Sequence, residues 1–346
     1  METKIGDILN ICYGKDYKHL SSGTIPVLGT GGIITYVNDY LYNKESILIG
    51  RKGTINKPSY INTPFWTVDT LFYTEINEKN FVKCIFYLFN TINWLKYNEA
   101  TGVPSLTSNN IKKIKIKIPS FDEQKKIASF LSALDKKISL MEKKKKKFEN
   151  LKNFFLNHIL KIENGSNEYH NKFSIWGKEW KKIKLKEICT INTGDSSYSQ
   201  NNNGKYYILN GGTKPTGLTD KWNVDQNTIT LSRVGSCGHI TYNKKRFYCG
   251  DSCFYLTLNS DVIYPLYLYY FLIANKKEIL RLKLTTGIPS IKKSDLYKIN
   301  IEFPTRKEQE KIFSFLNNFD MEIEYIERNI FELNKFKKYL LENMFC

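Results

Sequence analysis

Short apolar runs broken by Gly, Asn and Pro occupy two stretches of the chain, residues 1–118 and 173–303. Such runs are typical of short strands. Each stretch also holds a longer apolar segment, Phe81–Tyr97 in the first and Leu266–Arg281 in the second, which predicts helical structure between strands. The predicted strands are Ile25–Leu28, Ser46–Ile49, Leu71–Thr74 and Ile114–Ile118, then Tyr206–Leu209, Thr228–Leu231, Cys253–Thr257 and Lys298–Ile301.

A helical pattern replaces the strand pattern after Pro119 and again after Pro304. In the second segment the apolar residues keep a 4-3-4-3 spacing, with Lys337 as the one polar member. This spacing predicts a coiled-coil seam, and an extended helix of about 40 residues measures roughly 60 Å. The seam residues are Ile127, Leu131, Leu134, Ile138, Met141, Phe148, Leu151 and Phe155, then Ile312, Leu316, Phe319, Ile323, Ile326, Ile330, Leu333, Leu340 and Met344.

The charges on these two helices favour antiparallel packing. The first helix carries the lysine run Lys143–Lys147, and an antiparallel partner would set this run opposite Glu322, Glu324 and Glu327. The lobe that precedes each helix would then lie at the opposite end from the other lobe. Two other interpretations of the lysine run, a solvated helix face and a phosphate contact, stay open.

The chain is a tandem repeat in which every matched segment keeps its order. The matches are "KIGDILNICYG" with "KLKEICTINTG", "ILIGRKGTI" with "ITLSRVGSC", "TGVPSL" with "TGIPSI", and "IPSFDEQKKIASFLSALDKKI" with "FPTRKEQEKIFSFLNNFDMEI". Two copies are too few for a solenoid. We therefore predict two pseudo-symmetric α/β (α+β) lobes joined by a long antiparallel two-helix coiled coil. The predicted segments are a first lobe at 1–118, a helix at 119–163, a linker at 164–172, a second lobe at 173–303 and a helix at 304–346.

The charge balance predicts a polyanionic partner. Lys and Arg total 52 against 34 Asp and Glu, which gives a formal net charge of +18. Nucleic acid is the first expectation, and an anionic membrane surface is the second. A coding bias towards lysine would raise the charge without any partner. No apolar run is long enough to span a membrane, and seven scattered cysteines predict free thiols in the cytoplasm.

Catalytic signatures are missing from the sequence. It has no GxxxxGK[ST] phosphate loop, its four histidines lack triad-like companions, and its acidic residues do not cluster as a two-metal nuclease requires. The "VLGTGG" stretch at Val27–Gly32 resembles a cofactor loop, but no acidic residue ends a following strand, so a tight turn is the better interpretation. We expect no enzyme activity, no metal and no cofactor in this chain.

The duplicated Pro-x-x-x-Glu-Gln-x-x-Ile motif, together with the TG-x-PS loop ahead of it, resembles the specificity subunits of type I restriction–modification systems. The motif falls at Pro119, Glu123, Gln124 and Ile127, and again at Pro304, Glu308, Gln309 and Ile312. The resemblance covers nearly the whole chain. One departure is that the second lobe opens with Trp176 and Trp180, whereas the first starts at Met1 without such a lead-in, as if its edge were trimmed.

The resemblance implies a function without chemistry. Each lobe would be a target-recognition domain that binds one half of a bipartite, gapped target on double-stranded DNA. The paired helices would space these domains and dock two methyltransferase subunits, and restriction motor subunits would join them. S-adenosylmethionine, ATP and Mg²⁺ would reside on those partners only. The candidate docking residues are those of the duplicated motif, Glu123, Gln124, Glu308 and Gln309.

Comparison of the two lobes separates a shared framework from the positions that would read bases. Shared positions should hold the fold or contact phosphate, and positions that differ should read unlike half-sites. The shared candidates for DNA contact are Gly31, Arg51, Thr101 and Ser105, and Arg233, Ser236, Thr286 and Ser290. For Arg51 and Arg233 a structural ion pair is the alternative. The remaining candidates, drawn mainly from divergent loops, are Asn38, Lys52, Lys57, Tyr60, Lys214, Lys244 and Arg246.

Two rival functions and one geometric hypothesis accompany this interpretation. A small methyltransferase or nuclease is disfavoured by the missing motifs, and a basic coiled-coil scaffold would bind nucleic acid without sequence preference. If helices of roughly 60 Å set the spacing of the lobes, the half-site centres lie about 10 to 21 base pairs apart.

Overall fold

The computed structural model describes residues 2–161, 180–284 and 287–345. The chain divides into two compact units. One unit comprises Met1–Lys143 with Arg328–Cys346, and the other comprises Lys144–Glu327. Each unit therefore contains one lobe and a part of each long helix. The predicted linker at 164–172 lies outside the described residues, and the predicted domain boundaries stay predictions.

The first lobe is built from nine strands and three short α-helices among the described residues, with a 3₁₀ turn at Trp94–Tyr97. Its elements are β1 (Glu2–Lys4), α1 (Ile5–Ile8), β2 (Leu9–Tyr13), β3 (Ser22–Gly29), β4 (Gly32–Val37), β5 (Ser46–Gly50), β6 (Ser59–Ile61), β7 (Trp66–Thr67), β8 (Leu71–Ile76), α2 (Val82–Phe89), α3 (Ser108–Lys113) and β9 (Lys115–Lys117), followed by the long helix α4 (Phe121–Leu160).

The second lobe repeats this order, strand for strand. Its elements are β10 (Lys181–Lys184), α5 (Leu185–Ile188), β11 (Cys189–Thr193), β12 (Tyr206–Leu209), β13 (Gly217–Thr219), β14 (Thr228–Ser232), β15 (Ile240–Asn243), β16 (Tyr248–Cys249), β17 (Cys253–Leu258), α6 (Pro265–Ala274), α7 (Lys276–Arg281), α8 (Lys293–Leu296) and β18 (Asn300–Phe303), followed by the long helix α9 (Arg306–Met344).

Sheet topology is the same in both lobes. The orders are β2-β8-β5-β6, β4-β3-β7 and β1-β9 in the first lobe, and β11-β17-β14-β15, β13-β12-β16 and β10-β18 in the second. In both lobes the first strand pairs with the last strand, β1 with β9 and β10 with β18. The predicted fold class, two pseudo-symmetric mixed α/β copies, is confirmed.

Each lobe buries a core between its four-stranded sheet and its helices. Strand β5 reads "SILIG" and is buried along its whole length, which explains why a continuous apolar run forms a central strand there. The ends of the long helices complete these cores. Leu156, Ile159 and Leu160 of α4 pack into the second lobe's core, and Phe345, just past α9, packs against the first lobe's core.

The two long helices run antiparallel within each unit. In the second unit, Lys145 Nζ lies 2.7 Å from Glu327 Oε1, whereas the rings of Phe155 and Phe315 have centroids 4.9 Å apart. Residue numbers thus rise along α4 as they fall along α9. The predicted pairing of the lysine run is confirmed at two glutamates, since Lys144 Nζ also lies 2.7 Å from Glu322 Oε1.

The predicted helical segments are each broken in two. Helix α2 ends at Phe89, and the buried Trp94 of the following 3₁₀ turn donates its indole N–H to Phe89 O at 2.9 Å. In the second lobe, Asn275 separates α6 from α7, and its side-chain amide donates to Phe271 O and to Leu160 O, the last residue of α4. Side-chain bonds to backbone end both helices, a signal that apolar periodicity does not carry.

The strand predictions are right for the central strands and incomplete at the edges. The predicted Lys298–Ile301 is shifted, because a turn after α8 occupies its first two residues and β18 runs Asn300–Phe303. Lys298 N and Ile299 N donate back to Asp295 O and Leu296 O of α8. Short, half-exposed strands such as β4, β6 and β13 were not predicted. Their residues lack the alternation on which such predictions depend.

Two further sequence expectations concern membranes and thiols. Within the described ranges, no helix is long and apolar enough to cross a bilayer. The six cysteines that the structure describes are free thiols, and five of them are buried.

Candidate nucleic-acid interface

Three loops that the two lobes share meet at one edge of the first lobe. The turn after β5 carries Arg51, Lys52 and Gly53, and it joins the "TGVPSL" loop through backbone bonds. Gly53 N donates to Pro104 O at 2.8 Å, and Leu106 N donates to Arg51 O at 2.9 Å. The tip of the β3–β4 hairpin is adjacent, since a Cβ placed on Gly53 would lie 3.5 Å from the Thr30 hydroxyl.

The second lobe assembles the same three loops. Ile291 N donates to Arg233 O at 3.0 Å, the counterpart of the bond between Leu106 and Arg51. Ser236 N donates to Gly211 O at 2.7 Å, which ties the turn after β14 to the loop between β12 and β13. Ser290 forms a β-bridge with Val234, as Ser105 does with Lys52. Thr286 lies outside the described residues.

The shared arginines have the same internal contact in both lobes. Arg51 donates from Nη1 to Asp69 O at 3.0 Å, and Arg233 donates from Nη1 to Asp251 O at 3.3 Å. Arg51 also lies over the Tyr13 ring, with Cζ 5.4 Å from its centroid. Arg51 Nη1 also lies 3.9 Å from Asp69 Oδ2, so the structural ion pair is present for Arg51, whereas the hydrogen bond of Arg233 is to a backbone carbonyl. A guanidinium has five N–H donors, so phosphate contact by the remaining donors stays a prediction.

Exposed lysines surround this framework. Lys52, Lys57 and Lys214 are exposed, and in the described part of the chain their side chains form no ion pair or hydrogen bond. Gly31 faces open space, with no atom within 4 Å of an added Cβ. Thr101 and Ser236 are exposed as well. These residues have the accessibility that a phosphate contact requires, and their DNA contacts stay predictions.

Four other predicted contact residues bond to the protein itself. Asn38 Oδ1 accepts from Ser21 N at 3.0 Å. The Tyr60 hydroxyl donates to Glu45 Oε1 at 2.7 Å, and burial, followed by this bond, raises the pKa of Tyr60. Lys244 Nζ lies 3.3 Å from Glu324 Oε1, and Arg246 Nε lies 2.9 Å from Asp225 Oδ1; the Arg246 pair lowers the pKa of Asp225. The DNA contacts of these four residues stay predictions.

The Glu-Gln motif secures the start of each long helix. Glu123 accepts from Ser120 N at 2.9 Å and from Ser120 Oγ at 2.8 Å, and these hydrogen bonds hold the pKa of Glu123 below its ordinary value. Glu308 accepts likewise from Thr305, at 3.1 and 2.8 Å. Both pairs are the helix-capping arrangement expected of Ser or Thr followed three residues later by Glu.

The glutamines of the motif are buried and fully hydrogen-bonded. Gln309 is 0% exposed, accepts from Tyr264 N at 3.0 Å and donates to Val262 O and Pro304 O. Gln124 is 2% exposed and accepts from Phe81 N at 2.7 Å. Each glutamine thus ties its long helix to the start of α6 or α2. The prediction that these two side chains contact a partner is at odds with this burial.

Sequence reasoning missed a polar triad that occurs once in each unit. The Tyr87 hydroxyl donates to Asp135 Oδ2 at 2.8 Å, and Lys337 Nζ lies 2.5 Å from Asp135 Oδ1. In the second unit, the Tyr270 hydroxyl donates to Asp320 Oδ2 at 2.6 Å, and Lys152 pairs with Asp320 Oδ1. The available signals were the aspartate that ends both "FLSALD" and "FLNNFD", and the lone lysine in the seam.

Each triad connects three elements. The tyrosine comes from the helix of a lobe, the aspartate from the long helix that follows that lobe, and the lysine from the other long helix. Burial, reinforced by the neighbouring carboxylate, raises the pKa of Tyr87 and Tyr270, so both remain hydroxyl donors. No described group of three or more His, Cys, Asp or Glu side chains could hold a metal ion.

Comparison with known proteins identifies the family. Residues 1–150 and 177–335 match the family described as the type I restriction modification DNA specificity domain, in two copies. The chain belongs to this family, as its duplicated motif predicted.

Named relatives and a solved structure agree with this assignment. A type I specificity subunit, by name, from Mycoplasma genitalium is 33% identical over 160 residues, which are 45% of this chain and 42% of that protein. The matched part is thus less than half of that relative's length. The type I restriction enzyme MjaVIII specificity subunit from Methanocaldococcus jannaschii is 23% identical and covers 89% of this chain and 78% of that protein.

The fold likeness extends over the whole chain. The crystal structure of a type I restriction–modification S subunit from M. genitalium superposes with a TM-score of 0.80 at 17% identity, covering 100% of this chain and 96% of that one. A second structure, from work on complex assembly and conformational transition of the type I restriction–modification system, has a TM-score of 0.56 at 15% identity.

Proposed function

We propose that this chain is the DNA-specificity subunit of a type I restriction–modification complex, and that each lobe binds one half of a bipartite, gapped target. One observation carries the proposal. Both lobes present the same three-loop framework, while the residues around that framework differ. Two copies of one scaffold with unlike surroundings are what two unlike half-sites of one DNA require.

The subunit contributes recognition and no chemistry in this proposal. Its relatives are specificity subunits by name. Methylation and cleavage would belong to methyltransferase and restriction subunits, which bring S-adenosylmethionine, ATP and Mg²⁺. One of the two similar structures concerns the assembly of a type I complex, and we extend such assembly to this chain as a proposal.

Exposed apolar side chains on the long helices support the docking of two equivalent partner subunits. In the first unit, Leu140, Phe336 and Tyr339 are exposed. In the second, their counterparts at an offset of 185 are Tyr325, Leu151 and Phe154, which are also exposed. Large exposed apolar patches are rare on monomeric proteins and mark interaction surfaces. The same set twice fits one methyltransferase subunit per set.

Sequencing of methylated adenines tests the proposal. The chain would be co-expressed with the methyltransferase encoded beside its gene, in cells that lack other adenine methylation. We expect methylation at one gapped motif with two specific halves. A partner that is active with another specificity subunit but methylates no motif with this chain would contradict the proposal. Salt-sensitive DNA binding without sequence preference would favour the basic-scaffold alternative.

A further inference from the structure

The β3–β4 hairpin of the first lobe forms an exposed apolar ribbon. A two-residue turn, Thr30-Gly31, joins the strands, and Gly32 adopts a φ of +109°, which suits glycine. Ile33 is 56% exposed and Ile34 is 52% exposed, directly after the turn. Strand β4 lies at the edge of its sheet. We name the segment 29–36 the lobe 1 ribbon.

A register irregularity redirects the apolar side chains of this ribbon. Leu28 pairs with Ile33, whereas the preceding Val27 pairs with Thr35, so Ile34 is an extra residue on its strand. Bulges of this kind aim a side chain away from the regular alternation and are common beside functional sites. Both isoleucines thereby reach solvent at the same end of the ribbon.

The second lobe has a polar counterpart at this place. Strands β12 and β13 are joined by residues 210–216, "NGGTKPT", in which Thr213, Lys214 and Thr216 are exposed. The flanking framework is shared, since Ile291 N donates to Arg233 O in this lobe as Leu106 N donates to Arg51 O in the first. The two lobes therefore differ in the chemistry of this connection, with exposed isoleucines in one and an exposed lysine with threonines in the other.

This difference identifies the kind of occupant. A protein subunit that binds both halves of the chain equivalently requires a repeated surface, and the exposed sets on the long helices do repeat. The ribbon does not repeat, so an occupant of this place in both lobes would differ from one lobe to the other. The two halves of a bipartite DNA target satisfy this condition. Lys52, exposed in the adjoining turn, offers positive charge for the flanking phosphates.

We propose that the lobe 1 ribbon enters the major groove and that Ile33 and Ile34 contact thymine methyl groups there, so that its half-site contains specified A·T pairs. A two-stranded ribbon fits the major groove, and the thymine methyl is the one apolar feature on its floor. Lys214 in the second lobe suits guanine instead. This inference rests on the proposed function.

Deoxyuridine substitution tests the methyl contact directly. Once the gapped motif is known, duplexes carrying it are made with deoxyuridine in place of each thymine of one half, which removes only the methyl group. The full chain with its methyltransferase subunits should bind about fourfold more weakly for each contacted methyl group that is removed. The Ile33→Ser/Ile34→Ser variant should not discriminate between the two duplexes.

Two control variants assign the effect to the ribbon. Leu95→Ser changes an equally exposed apolar residue of the same lobe, 54% exposed, and should leave the thymine preference unchanged. Lys214→Ala should weaken the base preference in the half-site that the second lobe reads. The half-site that keeps its base preference is then the one that the first lobe reads. All variants alter exposed side chains, so equal melting temperatures are expected.

The outcomes separate this inference from the proposed function. A gapped motif whose lobe 1 half contains no thymine, or tolerates deoxyuridine with unchanged affinity, overturns the inference and leaves the proposed function intact. The Ile33→Ser/Ile34→Ser variant could instead fail to co-purify with the methyltransferase while its base preference stays unchanged. That result would show that the ribbon contacts a protein, and it would also overturn the inference. Absence of any gapped motif removes both.

Discussion

At the scale of single residues, glycine shows how the repeat preserves geometry. Gly14 and Gly194 occupy the same place in the two copies of the opening motif. A Cβ on Gly14 would lie 2.1 Å from Val68 O, and one on Gly194 would lie 2.2 Å from Gly250 O. Backbone approaches the glycine too closely for any side chain, which explains why the residue is the same in both lobes.

Gly14→Ala should therefore destabilise the protein strongly. The new methyl group collides with backbone that cannot rotate away, and we expect a loss of about 2 kcal/mol or more in the free energy of unfolding. Chemical denaturation followed by circular dichroism measures it. Gly31→Ala is the matched control, because nothing lies within 4 Å of its added Cβ. Equal stability of the two variants would contradict the steric explanation.

Residue chemistry alone did not separate contact residues from structural ones. Asn38 and Arg246 were predicted from their type and loop position, yet each has a partner from a distant part of the chain, Ser21 and Asp225. Such pairs depend on which loops the fold brings together. Lys52, by contrast, is exposed and has no ion-pair partner among the described residues, as its position in a loop predicts.

At the scale of elements, the Tyr–Asp–Lys triads connect each lobe to both long helices. Apolar seams tolerate shifts and reversals of orientation, whereas a buried charged group requires its own partner. Lys152 and Asp320 have side chains only 15% and 24% exposed. A shift in the helix pairing would leave these charges without partners. We therefore interpret the triads as determinants of register and orientation.

Asp320→Ala should cost about 2 to 3 kcal/mol, because it leaves Lys152 and Tyr270 without an acceptor. Denaturant unfolding of the single variants, and of Asp320→Ala with Lys152→Met, gives a double-mutant cycle. We expect a coupling energy of about 1 kcal/mol or more.

The exposed ion pair of Arg281 and Glu278 provides the control for this cycle. Glu278→Ala should cost no more than about 0.5 kcal/mol. If the coupling energy between Asp320 and Lys152 is also no more than about 0.5 kcal/mol, the charges of the triad do not specify the helix pairing.

At the scale of the whole molecule, the net charge of +18 predicts that binding to DNA weakens as the salt concentration rises. Many cations are already paired, as Lys144 and Lys145 are with Glu322 and Glu327. Lys144 and Lys145 thus form ion pairs between the two long helices. Of the three interpretations of the lysine run, helix pairing therefore holds at these two positions, rather than a solvated face or a phosphate contact. We therefore expect phosphate contact from lysines without such partners.

Lys52→Ala should flatten the salt dependence of DNA binding. Loss of one phosphate contact lowers the slope of log K against log[salt] by about 0.9 for B-DNA. Affinity for an unrelated duplex, measured from low to moderate salt with the assembled complex, provides the slope. Lys115→Ala, whose lysine lies 3.6 Å from Glu2, should leave it unchanged. Equal slopes for both variants would place Lys52 outside the DNA interface.

The sequence alone determined the family, the duplication, the central strands and the antiparallel helix pair. These features depend on local periodicity, on motifs and on charges that are visible in the printed order of residues. Apolar spacing shows the seam, and the position of Glu327 relative to Lys145 indicates its direction. The helix-spacing hypothesis and the cytoplasmic location stay predictions.

Only the tertiary structure decided what the individual polar side chains do. Gln124 and Gln309 were predicted to dock a partner subunit, yet the fold buries them against the starts of α2 and α6. The three-loop edge and the protrusion of Ile33 and Ile34 likewise depend on contacts between residues far apart in the chain. Burial and hydrogen-bond partners are set by packing in space, and a linear pattern of residue types does not contain that information.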